Sequence, residues 1–195
     1  CAPMVSRLVS IRFSHYNEKA RWALDFHRVP YVEDGYLPFF HVPAVKRILG
    51  SAGTADRVSS KYSTPCVKFA DDTVLQGSSE IARHVDAVHG SPDRTLYPED
   101  CAADVRAFED HVHDLLGPHT RRFAYFFTLS ETEILRSLVS ANVSGFQSTL
   151  FSVAAPLVRR YVARGLGVNR ERFDKSVAYI RKELASIDAM LADGR

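Results

Sequence analysis

The hydrophobic pattern changes its period part-way along this chain, and that change limits the folds open to it. Up to about residue 90, short runs alternating at period two take turns with runs at helical period, whereas beyond residue 100 only the helical period remains. "RLVSIRF" sets Val9, Ile11 and Phe13 on one side and Ser10 and Arg12 on the other, which predicts a strand. "NEKARWALDFH" predicts a helix that stops before Pro30, because proline disfavours helical geometry at Val29. "YVEDGY" predicts a second short strand, "HVPAVKRILG" a short helix from about Pro43, and "SAGTADRVSSKYS" a polar loop. "PCVKFADDTVL" predicts two strands joined at Asp71-Asp72. "GSSEIARHVDAVHG" predicts a helix with Ile81, Val85 and Val88 as its apolar stripe, Ser78 as its cap and Gly90 as its stop. The resulting order β-α-β-α-β-β-α over residues 6–90 describes an α/β domain, a mixed sheet with helices on its faces.

"SPDRTLYPED", residues 91–100, is rich in proline and charge and reads as a linker. Residues 101–195 predict an all-α helical domain. "DVRAFEDHVHDLLG" places Val105, Phe108, Val112 and Leu115 on one face, and Ser130 with Glu133 forms a capping box in "SETEIL". Phe173, Val177, Ile180, Leu184, Ile187 and Leu191 recur at the spacing of bundle packing, so that stripe is expected in the core. "RRFAYFF" is expected as core and pocket wall rather than as a stacking surface for bases. His111 and His113 sit at i and i+2, which do not share a helical face, and read as surface histidines.

The net charge of +2 is too small to argue for nucleic acid. The apolar run "STLFSVAAPLV" is short of the roughly 18 residues a membrane span needs and contains a proline. Cys1, Cys66 and Cys101 are odd in number and widely spaced, which argues against a disulfide framework or a zinc site and for an intracellular, reducing compartment. Both ends read as cut, since the chain starts at Cys1 and stops at "LADGR" directly after a periodic helix.

Three places in the α/β half point to one chemistry. Ser14 stands where the first strand meets the first helix, with Glu18 in the first turn. Thr64-Pro65 begins the third strand, and Ser78 opens a helix after the fourth. Two helix N-termini and a proline turn are rich in backbone donors and suit an anionic ligand. Taken alone, Ser14 reads as an ordinary cap, and Tyr16 as a packed ring. Cys66 reads as a buried strand residue.

This arrangement resembles the soluble glutathione S-transferases, on "IRFSHYNEKARWAL", Thr64-Pro65, "LQGSSEI" and "TLYP". The resemblance implies a thioredoxin-like N-terminal domain followed by an all-helical one, and a cis peptide bond at Pro65. It implies that Ser14 is the catalytic residue, donating a hydrogen bond to the sulfur of glutathione, whose thiolate then attacks a small hydrophobic electrophile. Thr64 and Pro65 would hold the cysteinyl part of glutathione, Gly77 and Ser78 the γ-glutamyl part, and His41 and Lys61 the glycyl carboxylate. The resemblance further implies a cytoplasmic homodimer for detoxification, with glutathione as co-substrate, no metal, no nucleic acid and no membrane. It also implies that the helical domain is incomplete, since relatives continue past the motif that ends here.

Two departures matter. Gly77 replaces the usual acidic residue that anchors the γ-glutamyl ammonium, a charge-assisted contact worth about 1.5–3 kcal/mol. Asn17 stands where a second cysteine would serve disulfide chemistry, so neither Ser14 nor Asn17 can form a mixed disulfide and a glutaredoxin-like role is disfavoured. The alternative is a non-catalytic member of the same fold, kept as a binding or dimerisation module.

Overall fold

Strands β1 (Ser6–Ser10), β2 (Tyr31–Gly35), β3 (Cys66–Lys68) and β4 (Val74–Gln76) form one sheet in the order β2-β1-β3-β4 in the computed structural model, which describes residues 5–50, 60–143 and 145–192. β1 runs parallel to β2 and antiparallel to β3, and β3 is antiparallel to β4. Helices α1 (His15–Phe26), α2 (Val42–Leu49) and α3 (Ser78–His89) complete a β-α-β-α-β-β-α unit of thioredoxin-like topology. The first part of the expected polar loop, residues 51–59, and both chain ends on which the expectation of a cut chain rests lie outside the described residues.

Alternation in β1 feeds two cores, one on each face of the sheet. Leu8 packs with Ala20 and Leu24 of α1 and with Ile81 and Val85 of α3. Val9 points the other way and packs with Val45 and Leu49 of α2 and with Cys66 of β3. β1 ends at Ser10, so Ile11 and Phe13 belong to the loop before α1 and not to the strand. Asp72 takes a positive φ of 69° in the turn between β3 and β4, a conformation that Asp tolerates better than most residues. Val88 of the expected α3 stripe is exposed, whereas Ile81 and Val85 are fully buried.

The stretch expected as a linker is tied down by Asp86 of α3. Its carboxylate accepts hydrogen bonds from Thr95 Oγ1 at 2.8 Å and from the Leu96 N–H, and it also takes Nε2 of buried His27 at 2.9 Å. His27 is the residue that ends α1, so a single carboxylate holds α1, α3 and the segment after α3 together.

The rest is helical: α4 (Ala102–His111), a π-helical turn (Val112–Leu116), α5 (Gly117–Ser130), α6 (Thr132–Asn142), α7 (Gly145–Gly165) and α8 (Arg170–Ala192). The chain divides into two compact units, Cys1–Arg106 with Ala141–Gln147 and Ala107–Ser140 with Ser148–Arg195. The π turn lies just before Pro118, which has no N–H to continue the α-helical ladder; Gly117 N–H bonds instead to the Val112 carbonyl. The extra residue in that turn rotates the face that follows. Leu116 is buried in place of exposed Leu115; Phe108 of the expected apolar face, which precedes the turn, is exposed as well.

Two other expectations for the helical half give way. Ser130 caps nothing: it is the last residue of α5, and its hydroxyl donates back to the Phe126 carbonyl at 2.7 Å. The chain turns at Glu131, whose carbonyl accepts the Leu135 N–H, so the expected box is one residue out of register. In α8 the buried residues are Phe173, Ser176 and Glu183, whereas Leu184 and Leu191 of the expected stripe are exposed. Polar groups decide that face. Ser176 Oγ takes Arg122 Nη1 at 2.9 Å and His119 Nδ1 at 3.1 Å, and Glu183 Oε2 takes His111 Nε2 at 2.7 Å. Phe123, Phe126 and Phe127 gather around buried Phe173, but Phe123 and Phe127 are themselves exposed and Phe126 is half-buried, so the expectation that "RRFAYFF" lies in the core fails at those rings.

Asp86→Ala should lower stability in urea by about 2–4 kcal/mol, because it strands His27 and the Leu96 N–H without their acceptor. A loss below half a kcal/mol would show that the carboxylate is not the fastening described. A second expectation concerns acid. The hydrogen bond from His111 holds the Glu183 carboxyl below the usual carboxylate range, with Tyr179 and Lys182 adding to it and burial opposing. A lowered folded value means stability present above the ordinary glutamate value of about 4.3 and lost as pH falls below it. Melting curves of Glu183→Gln should therefore lie below those of wild type at pH 7 and converge with them in acid; parallel curves would refute the assignment.

Candidate functional site

Ser14 is the residue at the N-terminal boundary of α1. Its backbone is extended, at φ −86° and ψ 126°, and its carbonyl accepts the Glu18 N–H at 2.9 Å, which is the cap position. The side chain makes no cap hydrogen bond. Ser14 is half-buried and lines a pocket of about 460 Å³, together with Phe13, Trp22, Arg12, Glu18 and Lys19. A helix N-terminus carries partial positive charge and N–H groups without intrahelical acceptors, so a negative group beside Ser14 would be stabilised there.

The next piece reaches Ser14 through Asn17, one turn along α1. Asn17 is completely buried, and its Nδ2 donates to Thr64 Oγ1 at 3.2 Å. Thr64-Pro65 is a cis peptide. The Pro65 carbonyl accepts the Gly77 N–H at 2.9 Å, and the register of β3 on β4 pairs Cys66 with Gln76 just inside it. Thr64, Pro65, Gly77 and Ser78 are thus brought to one end of the sheet, linked by Asn17 to the helix that carries Ser14.

Gly77, and not Ser78, holds the cap position of α3. It has φ 98°, a conformation open to glycine and strained for other residues, while Ser78 is the first helical residue. The expected cap is therefore displaced by one. The glycine in place of an acidic residue has a backbone reason that the spacing did not show. The Ser78 hydroxyl is buried and has no hydrogen-bond partner, an unspent polar atom at a helix N-terminus.

His41 and Lys61 sit less directly. His41 precedes α2; its imidazole pKa is lowered by burial, opposed by backbone hydrogen bonding at Leu37 and Tyr62. The Lys61 ammonium stands 5.7 Å from the centre of the Tyr62 ring, and its carbonyl accepts Gln76 Nε2 at 3.2 Å. No hydrogen bond among those described joins either side chain to Ser14, Thr64 or Ser78.

Two residues that the sequence reading passed over shape the site. Gln76 is buried in β4, and its Nε2 also reaches the Ser63 carbonyl at 2.9 Å, which secures the approach to Thr64. Lys19 of α1 donates to Ser79 Oγ of α3 at 2.8 Å and so ties the two helix N-termini to each other. Gln76 looked like one polar position in a short strand, and Lys19 like a solvated helix residue; neither carries a mark of its partner. Cys66, beside the cis proline, is fully buried, and burial pushes its thiol up to about 12, so it supplies no thiolate. Among the described residues, no group of three or more His, Cys, Asp or Glu side chains could hold a metal ion, and no helix is long and apolar enough to cross a membrane.

Residues 8–93 match the family model of the glutathione S-transferase N-terminal domain. The chain as a whole has the fold of that family. It superposes on a glutathione S-transferase of Ceriporiopsis subvermispora in complex with glutathione with a TM-score of 0.63 at 20% identity, over 98% of this chain and 75% of the other. For glutathione transferase GSTFuA3 from Phanerochaete chrysosporium the TM-score is 0.60 at 17% identity, over 97% and 73%. A second glutathione S-transferase of C. subvermispora, also in complex with glutathione, gives 0.57 at 17%, over 98% and 77%. No protein of curated function matches the sequence significantly.

Because the Ser14 hydroxyl makes no cap bond, Ser14→Ala should change the unfolding free energy by less than about 0.5 kcal/mol, where loss of a working cap costs about 1. Asn17→Ala should cost about 1–3 kcal/mol in the same urea titration, through the lost bond to Thr64 and the space left behind. The reverse order would mean that Ser14 is structural and Asn17 is not.

Proposed function

We propose that this protein is a glutathione transferase that joins the thiol of glutathione to small hydrophobic electrophiles. The observation that carries the reading is Ser14, which stands at a helix N-terminus, lines an open pocket and does not use its hydroxyl as a cap. Relatives of the same fold crystallised with glutathione support the choice of ligand.

In this reading the protein supplies no sulfur of its own. A free thiol has a pKa of about 8.5, so little of it is ionised at neutral pH. The Ser14 O–H donates a hydrogen bond to the glutathione sulfur, and the α1 N-terminus adds its partial charge, so the thiolate is favoured over the thiol. The proton leaves to solvent. The sulfur's electron pair then forms the bond to an electrophilic carbon, and the leaving group departs with the pair from the bond that breaks. Ser14 remains a donor throughout and is never the nucleophile.

The same reading assigns the remaining contacts. The backbone of Thr64, before cis Pro65, pairs with the cysteinyl part of glutathione. Ser78, Gly77 and the N-terminus of α3 receive the γ-glutamyl carboxylate, which gives the unpartnered Ser78 hydroxyl something to bond. Lys61 and His41 serve the glycyl carboxylate. The setting proposed is that of a cytoplasmic, homodimeric detoxification enzyme.

Two measurements on the same preparation test this. Wild type should be retained on immobilised glutathione and should conjugate a general aromatic electrophile. Ser14→Ala should keep the retention and lose about 10²- to 10³-fold in kcat, the scale of one oriented donor to a developing anion. Full activity in Ser14→Ala would remove Ser14 from the mechanism, and absence of both retention and activity in wild type would overturn the reading.

A further inference from the structure

A network of charged groups surrounds the loop between β1 and α1. Arg21 lies on α1 with its side chain only 14% exposed. Its Nη2 donates to the Arg12 carbonyl at 2.7 Å and to the Glu18 carboxylate, and its Nη1 donates to Glu33 Oε1 at 2.6 Å. The same Glu33 oxygen accepts Ser10 Oγ at 2.5 Å. Arg12 folds over the end of β2, its Nη2 3.4 Å from the Glu33 carbonyl and its Nε 3.6 Å from Glu33 Oε2. Gly35 is the space it folds into, since a Cβ there would stand 2.4 Å from Arg12 Nε. One guanidinium and one carboxylate therefore connect the end of β1, the loop, α1 and β2.

The point of attachment matters. The Arg12 carbonyl lies two residues before Ser14, inside the turn closed by the Ser14 N–H on the Ile11 carbonyl at 2.8 Å. That turn sets the direction in which the Ser14 side chain leaves the backbone, because the hydroxyl has no cap bond to orient it. We propose that Arg21, held by Glu33, is a positioning residue for Ser14: it fixes the Arg12 carbonyl and through it the aim of the Ser14 hydroxyl. This rests on the reading of Ser14 as the donor to the glutathione sulfur. Burial alone would lower the Arg21 pKa, but its bonds to Glu18 and Glu33 outweigh that and hold it above its ordinary value, so the fork stays charged. Lysine cannot replace it, since one ammonium nitrogen cannot reach a backbone carbonyl and two carboxylates in the planar fork that a guanidinium provides.

The test compares Arg21→Met, Arg21→Lys and Glu33→Gln with Arg7→Met. The last removes the ion pair to Asp34 across the same two strands, away from the loop, and serves as the control for general loosening of β1 on β2. Amide hydrogen exchange of residues 11–16 is read beside kcat, KM and the pH profile of conjugation. Arg21→Met and Glu33→Gln should raise exchange in the loop by about tenfold over the control, as expected when a local tether is lost. They should lower kcat by about 10- to 100-fold with the KM for the electrophile unchanged, the scale of a misaimed group, and move the acid-side limb of the profile, where the rate rises as the glutathione thiol ionises, to higher pH. Arg21→Lys should fall between them and wild type. Exchange equal to that of Arg7→Met, or a fall in kcat that only tracks the folded fraction, would overturn the proposal. If Arg21→Met does not fold, Glu33→Gln and Arg21→Lys decide by the same criteria. If wild type neither binds glutathione nor conjugates, the functional reading fails, and the exchange comparison alone then decides whether Arg21 orders the turn that aims Ser14.

Discussion

The hydrogen bond from Asn17 to Thr64 is the constraint on which the candidate site turns. It is made by a fully buried side chain, where an unmade bond would leave a polar group stranded, and so it has a strong geometric claim on both partners. On one side it sets α1, and therefore Ser14, against the sheet. On the other it holds Thr64 at the entrance to β3, where the cis Thr64-Pro65 bond turns the chain. From Pro65 the constraint passes through its carbonyl to Gly77 and so to the start of α3.

Around that bond the N-terminal unit is fastened by polar contacts at both ends of its helices. Lys19 and Ser79 join the N-termini of α1 and α3, and Asp86 gathers His27 and the backbone that follows α3. The apolar contacts between them, Ala20 and Leu24 against Ile81 and Val85, supply most of the cohesion but not the alignment. Burial of apolar area is indifferent to small slides of one helix on another, whereas a hydrogen bond to a buried partner is not. This division of labour suits the proposed site, in which the beginnings of two helices present their N-termini to one ligand.

The helical unit uses polar groups in another way. Ser176 and Glu183 are buried in α8 beside Phe173, with His119, Arg122 and His111 bonded to them, while Leu184 and Leu191 turn outward. The α8 stripe is therefore covered only in part, from buried Phe173 through half-buried Val177, Ile180 and Ile187, because a period of apolar residues states which face is greasy and not how far it is covered. The π turn before Pro118 added a second displacement by moving the buried position from Leu115 to Leu116.

The order of elements, the type of each domain and three serine or proline junctions suited to an anion can all be read along the chain. Those follow from local rules: alternation for strands, proline and glycine for the breaks, and serines at strand-to-helix junctions. Only the tertiary structure decided what those residues do. It put Gly77 rather than Ser78 at the cap and left the Ser14 and Ser78 hydroxyls without cap or partner. It also bonded Asn17 to Thr64, Gln76 to Ser63 and Arg21 to Glu33. The physical reason is range. Backbone preferences act over a few residues and can be read along the chain, whereas the partner of a buried polar group is set by which elements the fold brings together, 47 residues apart for Asn17 and Thr64.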